Sequence, residues 1–245
     1  MNRFFVEKIN ATDKFIILDD IVQLHHLKDV LRVRLKEKIA VFDRSGNEYM
    51  AIVVEINSHN AKLEIKEKRP PNDLDIQITV GCAIPKKVKM DDIIDKLTQL
   101  GVACIIPLQT ERVIVKLDQQ KKIQRFQRWE KIAISAVKQS QRSKFVVIKP
   151  VTDFKELIAN AQDFDLKLIP TLDTERETLK NIFNQAARQF KKIILLIGPE
   201  GDFTPQEITL AKEAGFLPVS LGKQVLRVDT AAIAAVSFIK LNAEN

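Results

Sequence analysis

The residues with the strongest chemical signature lie in the stretch LLIGPEGDFTPQEI, Leu195 to Ile208. Two of the chain's 7 glycines flank Pro199 and Glu200 here, directly after an apolar run. The order of residues fits neither G-x-x-x-x-G-K-[ST] nor G-x-G-x-x-G, the loops that bind nucleotide phosphates. Glu200 and Asp202 would also repel a phosphate at close range. The loop therefore favours a neutral or cationic ligand, and a simple tight turn is the alternative.

The flanking residues place this loop between a strand and a helix. The run KKIILLIG is typical of a buried strand and ends at the loop. Thr204, Pro205 and Glu207 match a capping box with proline at the first helical position, so a helix is predicted to begin there and to end near Gly215. Because ligands of open α/β sheets bind outside the carboxyl ends of strands, Gly198–Phe203 is well placed to bind one.

A second segment of interest, LGKQVLRVDTAAIAAVSFI, follows the next strand pattern. Leu221 and Gly222 end that strand, and Asp229 or Thr230 is expected to cap an alanine-rich helix. Arg227 lies between apolar residues just ahead of this acidic cap. Two interpretations stay open for Arg227, a functional role or an ion pair with Asp229 that fixes the loop.

The first 70 residues are predicted to form a small β-barrel or half-barrel with one helix. RFFVEK, KFIILDD and AKLEIKEK have strand patterns, and KIAVFD and EYMAIVVEI flank the turn signal RSGN. Asp20 is placed as the cap of the helix, and the apolar face of that helix comprises Ile21, Leu24, Leu27, Val30 and Leu31. The stretch RPPND, Arg69 to Asp73, interrupts helix and sheet alike and predicts a domain boundary.

Over residues 74–245, strand and helix patterns alternate. The strand patterns are IQITVGCAI, ACIIPL, KFVVI, LKLIP, KKIILLIG and FLPVSLG. The helical patterns cover KMDDIIDKLTQLG and residues 119–141, 153–160, 178–190 and 205–214. Such alternation predicts an α/β domain with a mostly parallel sheet covered on both faces.

Composition indicates the class of partner and the cellular location that we expect. The net charge of +7 and the pI of about 9.3 favour a polyanionic partner, with an ordinary basic surface as the alternative. No apolar run approaches the roughly 18 residues of a membrane span, and no signal peptide is expected. Cys82 and Cys104 lie in apolar surroundings without metal-ligand spacing, so we expect buried thiols, no metal and a cytoplasmic location.

Four blocks of the chain, in order, resemble one enzyme family. LLIGPEG followed by LGKQVLRVDTAA resembles the carboxyl-terminal part of the 16S ribosomal RNA uridine-N3 methyltransferases of the SPOUT superfamily. HHLKDVLRVR and VFDRSGNEYMAIV resemble the PUA-like domain of that family, KMDDIIDKLTQLGVACIIPLQTERVIVKL its first α/β segment, and RWEKIAISAVKQSQRS one of its helices. This chain has Asp202 where the family usually has glycine, and Val228-Asp229-Thr230 where it usually has Thr-Glu-Thr.

The resemblance implies S-adenosylmethionine as cofactor and methyl transfer to N3 of a uridine in 16S ribosomal RNA. It implies a SPOUT domain with a trefoil knot over 74–245 and a PUA-like RNA-binding β-barrel over 1–70. Arg227 and Glu200 are the catalytic candidates. The cofactor-binding candidates are Thr171, Leu172, Ile197, Gly198, Pro199, Glu200, Gly201, Leu221, Gly222, Val225, Leu226 and Arg227.

Partners follow from the same resemblance. It implies contact with 16S ribosomal RNA in the small ribosomal subunit and a homodimer that meets through the last helix, at Ile233, Val236 and Ile239. The RNA-binding candidates are Arg3, Arg32, Arg34, Gln139 and Arg142. Two other functions stay open, a non-catalytic RNA-binding assembly protein and a nucleotide-dependent α/β enzyme that uses the loop 198–201.

Overall fold

The computed structural model describes residues 2–10, 12–69, 76–85, 89–113, 118–140, 144–172, 176–185 and 190–243. The chain forms two compact units, one of Met1–Asp73 with Val137–Phe145 and one of Leu74–Ala136 with Val146–Asn245. Most of the stretch that predicts the domain boundary, 70–73, lies outside the described residues. A single boundary at this stretch would place residues 137–145 in the second unit, whereas the structure groups them with the first.

The first unit contains a five-stranded sheet. Its strands are β1 (Arg3–Phe5), β2 (Phe15–Leu18), β3 (Lys38–Phe42), β4 (Glu48–Ile56) and β5 (Ala61–Arg69), in the order β1-β3-β4-β5-β2. β1 pairs with β3 in parallel, and the other pairs are antiparallel. The predicted hairpin around RSGN is confirmed, because β3 and β4 on either side of it pair in antiparallel fashion. In its turn Gly46 has a φ of 81°, and the Asp43 carboxylate accepts the Ser45 amide at 2.9 Å.

The helix of the first unit departs from its predicted face. Asp20 caps α1 (Ile21–His25) as expected, and its carboxylate accepts the Gln23 amide at 2.8 Å. A π-helical turn then covers His26–Val30, and this wider turn breaks the 3.6-residue period from which the face was predicted. Of that face, Leu24 and Leu27 are buried. The prediction was wrong for the three members that are exposed, Ile21, Val30 and Leu31.

The second unit contains an eight-stranded sheet in which every pair is parallel. Its strands are β6 (Gln77–Ala83), β7 (Cys104–Gln109), β8 (Val147–Ile148), β9 (Thr152–Asp153), β10 (Leu166–Pro170), β11 (Glu177–Thr178), β12 (Lys192–Ile197) and β13 (Leu217–Ser220). Their order is β11-β13-β10-β12-β6-β7-β8, with β9 beside β7. This confirms the α/β class and the mostly parallel sheet, and the trefoil knot stays a prediction.

Helices separate these strands along the chain. They are α2 (Lys89–Gln99), α3 (Gln119–Gln139), α4 (Phe154–Ala159), α5 (Leu179–Gln185), α6 (Pro205–Glu213) and α7 (Val228–Ala243). The central strands are near-continuous apolar runs because they are buried on both faces. None of the helices in the described ranges combines the length and apolar character that a bilayer crossing requires.

The last helix differs from expectation at its start and on its apolar face. α7 begins at Val228, ahead of the predicted caps, because the Arg227 carbonyl accepts the Ala231 amide at 2.8 Å. Val236 and Ile239 are 0% exposed within the single chain, where α7 packs against α2, β6 and β12. The expectation that these two side chains meet a second copy is therefore wrong.

Candidate functional site

The order of the strands brings three loops together. β13, β10 and β12 are neighbours in a parallel sheet, so the loops that follow them leave the same edge. These loops line an open cleft of about 590 Å³. The lining residues are Pro170, Thr171, Leu172, Arg176, Ile197, Gly198, Pro199, Glu200, Asp202, Leu221, Gly222, Gln224, Val225, Leu226, Val228 and Ala231.

Most of the cofactor-binding candidates therefore share one cleft. All of them except Gly201 and Arg227 are among its lining residues. Arg227 is exposed and stands between two lining residues, Leu226 and Val228. The structure brings these residues together, and their binding of a cofactor stays a prediction.

Sequence reasoning missed several residues of the cleft wall. Gln224, Val228 and Ala231 belong to the segment already singled out, so their positions beside the candidates were a usable signal. Arg176 gave no such signal, because it belongs to no recognisable sequence motif. In the structure its Nη1 donates to the Thr171 carbonyl at 2.7 Å and supports the first loop.

The glycines of the central loop have different roles. A Cβ on Gly198 would lie 3.1 Å from the Phe203 ring, which is only 2% exposed. A side chain at position 198 would therefore fit only if the Phe203 ring shifted by a few tenths of an ångström. A Cβ on Gly201 would have Arg112 Cδ as its nearest neighbour, at 3.6 Å, an ordinary contact. Gly201 thus has no comparable packing requirement.

Asp202 joins two of the three loops. Its Oδ2 accepts the Thr171 hydroxyl at 2.9 Å and the Leu172 amide at 2.8 Å. Its Oδ1 accepts the Phe203 amide at 2.8 Å. The backbone of Asp202 has a φ of 61°, a left-handed conformation in which Asp, Asn and Gly are enriched. Sequence reasoning noted Asp202 as a departure from the family pattern and did not predict this link.

The loop after β7 supports the central loop from a second side. The Glu207 carboxylate accepts the Glu111 amide at 2.9 Å and the Thr204 amide at 2.9 Å, and it completes the predicted capping box of α6. The Arg112 guanidinium donates to the carbonyls of Gly201 and Phe203. The Glu111–Glu207 and Arg112–Gly201 contacts join residues 96 and 89 positions apart, a separation at which periodicity carries no information.

Acidic groups concentrate around the cleft. Glu200 and Asp202 line it. Burial raises the pKa of the Cys82 thiol to about 12, and the charges of Asp229 and Glu200 add to that rise. Asp229 Oδ1 is buried without a hydrogen-bond partner in the described part of the chain, and no ion pair there joins it to Arg227. The ion pair that the sequence left open for Arg227 is therefore not formed.

The RNA-binding candidates occupy different environments. The Arg3 side chain is 10% exposed, pairs with Glu48 and lies over the Phe42 ring at 5.2 Å, so the structure gives it a structural role. Arg32, Arg34 and Gln139 are exposed. Arg142 lies outside the described residues. Contact of any of these with RNA stays a prediction.

Two further expectations concern buried groups and metals. Trp129 is 1% exposed, and its Nε1 donates to Asp91 Oδ1 at 3.1 Å. Cys82 is buried as expected, whereas Cys104 is partly buried. Within the described ranges, no group of three or more His, Cys, Asp or Glu side chains is arranged to hold a metal ion.

Family models match both units of the chain. A model for the RNA methyltransferase domain matches residues 72–240, and a model for the RNA methyltransferase PUA domain matches residues 18–66. Among curated relatives, the ribosomal RNA small subunit methyltransferase E of Mesomycoplasma hyopneumoniae is 33% identical over 95% of this chain and 96% of its own. Its counterpart in Bacillus subtilis is 28% identical over 100% of this chain and 98% of its own.

Solved structures extend the likeness to the fold. Ribosomal RNA small subunit methyltransferase E from Neisseria gonorrhoeae, bound to S-adenosyl methionine, superposes with a TM-score of 0.85 at 32% identity, covering 98% of this chain and 97% of the other. A methyltransferase from Legionella pneumophila in complex with SAM gives 0.83 at 30% identity, covering 98% and 96%.

Proposed function

This chain belongs to the ribosomal RNA small subunit methyltransferase E family of RNA methyltransferases, and from that premise we propose that it methylates N3 of a uridine in 16S ribosomal RNA with S-adenosylmethionine. The observation that carries the proposal is the cleft at the carboxyl ends of β10, β12 and β13. Relatives similar over nearly the whole chain bind S-adenosylmethionine in their solved structures.

The lining and charge of the cleft support this cofactor. Leu172, Val225 and Leu226 offer apolar surface for an adenine ring. Glu200 suits the positive charge of a sulfonium. When bound, S-adenosylmethionine supplies an activated methyl group.

The residues of the chain would contribute positioning and electrostatics. N3 of uridine carries a proton and normally faces a pairing partner, so the base must be unpaired or flipped before it can react. Arg227 is exposed beside the cleft, where a guanidinium would stabilise negative charge on the uracil as the proton leaves. Glu200 would hold the sulfonium by charge attraction within the cleft.

The wider assembly is part of the proposal. The net charge of +7 supports a polyanionic substrate, and the exposed Arg32, Arg34 and Gln139, with Arg142, are the proposed RNA contacts. We also propose a homodimer, on the strength of the family resemblance. Light scattering on the purified protein measures this directly, and a monomer across micromolar concentrations would contradict it.

Calorimetry and a transfer assay test the function. Isothermal titration with S-adenosylmethionine should show binding, and labelled cofactor should deliver its methyl group to small-subunit RNA as N3-methyluridine after digestion. Absence of cofactor binding by folded protein would refute the proposal. Binding of RNA and cofactor without methyl transfer would favour the non-catalytic alternative. Tight ATP binding without competition from S-adenosylmethionine would favour a nucleotide-dependent enzyme.

A further inference from the structure

The backbone at Asp202 is held in a conformation that side chains rarely adopt. Its φ of 61° lies in the left-handed region, where Asp is better tolerated than most residues and glycine is unstrained. A glycine at this position would follow the same path more easily. The side chain must therefore contribute something that offsets the backbone cost.

The Asp202 carboxylate makes its contacts on both sides of the cleft. One oxygen accepts the amide of its own neighbour, Phe203, at 2.8 Å. The other accepts the Thr171 hydroxyl at 2.9 Å and the Leu172 amide at 2.8 Å, which belong to the loop after β10. Thr171 and Leu172 line the cleft, as does Asp202 itself. The bonds therefore connect two walls of the same site.

Each of the two loops is also held from outside the cleft. The Arg112 guanidinium donates hydrogen bonds to the carbonyls of Gly201 and Phe203. The Thr171 amide donates to the Val219 carbonyl at 3.2 Å, which ties the first loop to β13. Beyond Thr171, Leu172 is 53% exposed, and its amide donates to Asp202. The carboxylate thus orders an exposed part of the wall.

We propose that Asp202 is a positioning residue that sets the separation of the loops 171–172 and 198–203 before a ligand enters. The proposal rests on the proposed function, because the ligand concerned is S-adenosylmethionine. A site that is already ordered loses less conformational entropy on binding, so its affinity is higher at unchanged contacts. The effect belongs to cofactor binding more than to the chemical step.

The matched variants are Asp202→Gly and Asp202→Asn. Glycine keeps the left-handed backbone and removes every side-chain bond, so the fold is retained. Asparagine keeps one acceptor oxygen and replaces the other with an amide group that cannot accept, so it can accept the Leu172 amide or the Phe203 amide but not both. We expect Asp202→Gly to weaken binding of S-adenosylmethionine about tenfold and Asp202→Asn to fall between it and the wild type, with the KM for the cofactor changing more than kcat.

A measurement on ligand-free protein tests the link without cofactor. Hydrogen exchange at the Leu172 amide should accelerate in Asp202→Gly, whereas the Asp202-independent amide of Thr171 should exchange at the wild-type rate. Unchanged exchange at Leu172 would overturn the proposal. Thermal unfolding of each variant checks that the second unit stays folded.

A double-mutant cycle separates positioning from direct contact with the ligand. Thr171→Val removes one donor to Asp202 Oδ2 and should weaken cofactor binding a few-fold in the wild-type background. It should have no further effect in Asp202→Gly, because the shared bond is already gone. Additive losses would overturn positioning in favour of direct contact. If the wild type does not bind S-adenosylmethionine, the proposed function fails too, whereas normal binding by Asp202→Gly refutes only this inference.

Discussion

At the residue scale, the charges around the cleft distinguish it from a phosphate site. Nucleotide phosphates are bound by glycine-rich loops with lysine and free backbone amides. Here Glu200 and Asp202 line the corresponding loop, and the amides of Leu172 and Phe203 are taken up by the Asp202 carboxylate. The acidic wall follows the expectation from sequence that the loop suits a cationic ligand. The sequence could not show which groups donate hydrogen bonds to the Asp202 carboxylate.

The charge of Glu200 should discriminate between cofactor and product. Glu200→Gln is expected to weaken S-adenosylmethionine binding about threefold to tenfold, because a carboxylate in the cleft attracts the sulfonium. S-adenosylhomocysteine lacks that charge, so its affinity should change less. Calorimetry with both ligands measures the difference. Glu213→Gln, an equal change of charge at an exposed position of α6, serves as the control. Equal losses for both ligands would contradict the assignment.

Arg227 should act on transfer and not on cofactor binding. Its side chain is exposed and is absent from the cleft wall, so Arg227→Ala should leave the affinity for S-adenosylmethionine within twofold. Methyl transfer to small-subunit RNA should fall by about a hundredfold, as when one charge-stabilising donor is lost. Lys223→Ala, in the same segment and also exposed, should retain activity. Wild-type turnover by Arg227→Ala would remove this residue from the site.

At the element scale, the loop between β12 and α6 depends on one glycine more than the other. Gly198→Ala should destabilise the protein by about 1 to 3 kcal/mol, because its Cβ would press on the buried Phe203 ring at 3.1 Å. Gly201→Ala should change stability by less than about 0.5 kcal/mol, since its Cβ would meet only an ordinary contact. Chemical denaturation of both variants measures the difference, and equal losses would contradict this explanation.

Elements with local signals were predicted well. Thr204, Pro205 and Glu207 marked the start of α6, and Gly215, with a φ of 84°, marks its end as expected. The π-helical turn after α1 and the early start of α7 were missed. Both depend on hydrogen bonds that carry no residue signature, His26 carbonyl to Leu31 amide in one case and Arg227 carbonyl to Ala231 amide in the other.

The part of the site that could be predicted consists of the segments that directly follow predicted strands. The segments after LKLIP, KKIILLIG and FLPVSLG were identifiable, and the family resemblance supplied their common purpose. Contacts between distant segments were not identifiable, because they depend on how the strands are ordered in the sheet. Arg112 on the Gly201 carbonyl and Asp202 on the Leu172 amide are the two clearest cases.

At the scale of the whole molecule, stability should depend on pH through a buried thiol. The pKa of Cys82 is raised from 9.0 to about 12, first by burial and then by Asp229 and Glu200. Well below pH 9 the thiol is protonated in both the folded and the unfolded chain. As pH rises from 9 towards 12 only the unfolded chain ionises, so the stability that this group provides at lower pH is progressively lost.

Comparison with Cys82→Ala isolates this effect. Between about pH 9 and 10.5 the wild type should lose up to about 2 kcal/mol of unfolding free energy more than the variant does. Urea denaturation at each pH provides the measurement. Other titrating groups cancel in the difference, because both proteins contain them. Parallel pH profiles would show that burial of Cys82 does not perturb its ionisation.

The aromatic composition gives each compact unit its own optical reporter. The chain has one tyrosine and one tryptophan, and Tyr49 lies in the first unit whereas Trp129 lies in the second. Both side chains are at most 2% exposed, so loss of structure around either one changes its emission. Selective excitation of tryptophan therefore follows melting of the catalytic half alone. Whether the two halves unfold together can be measured on the unlabelled wild-type protein.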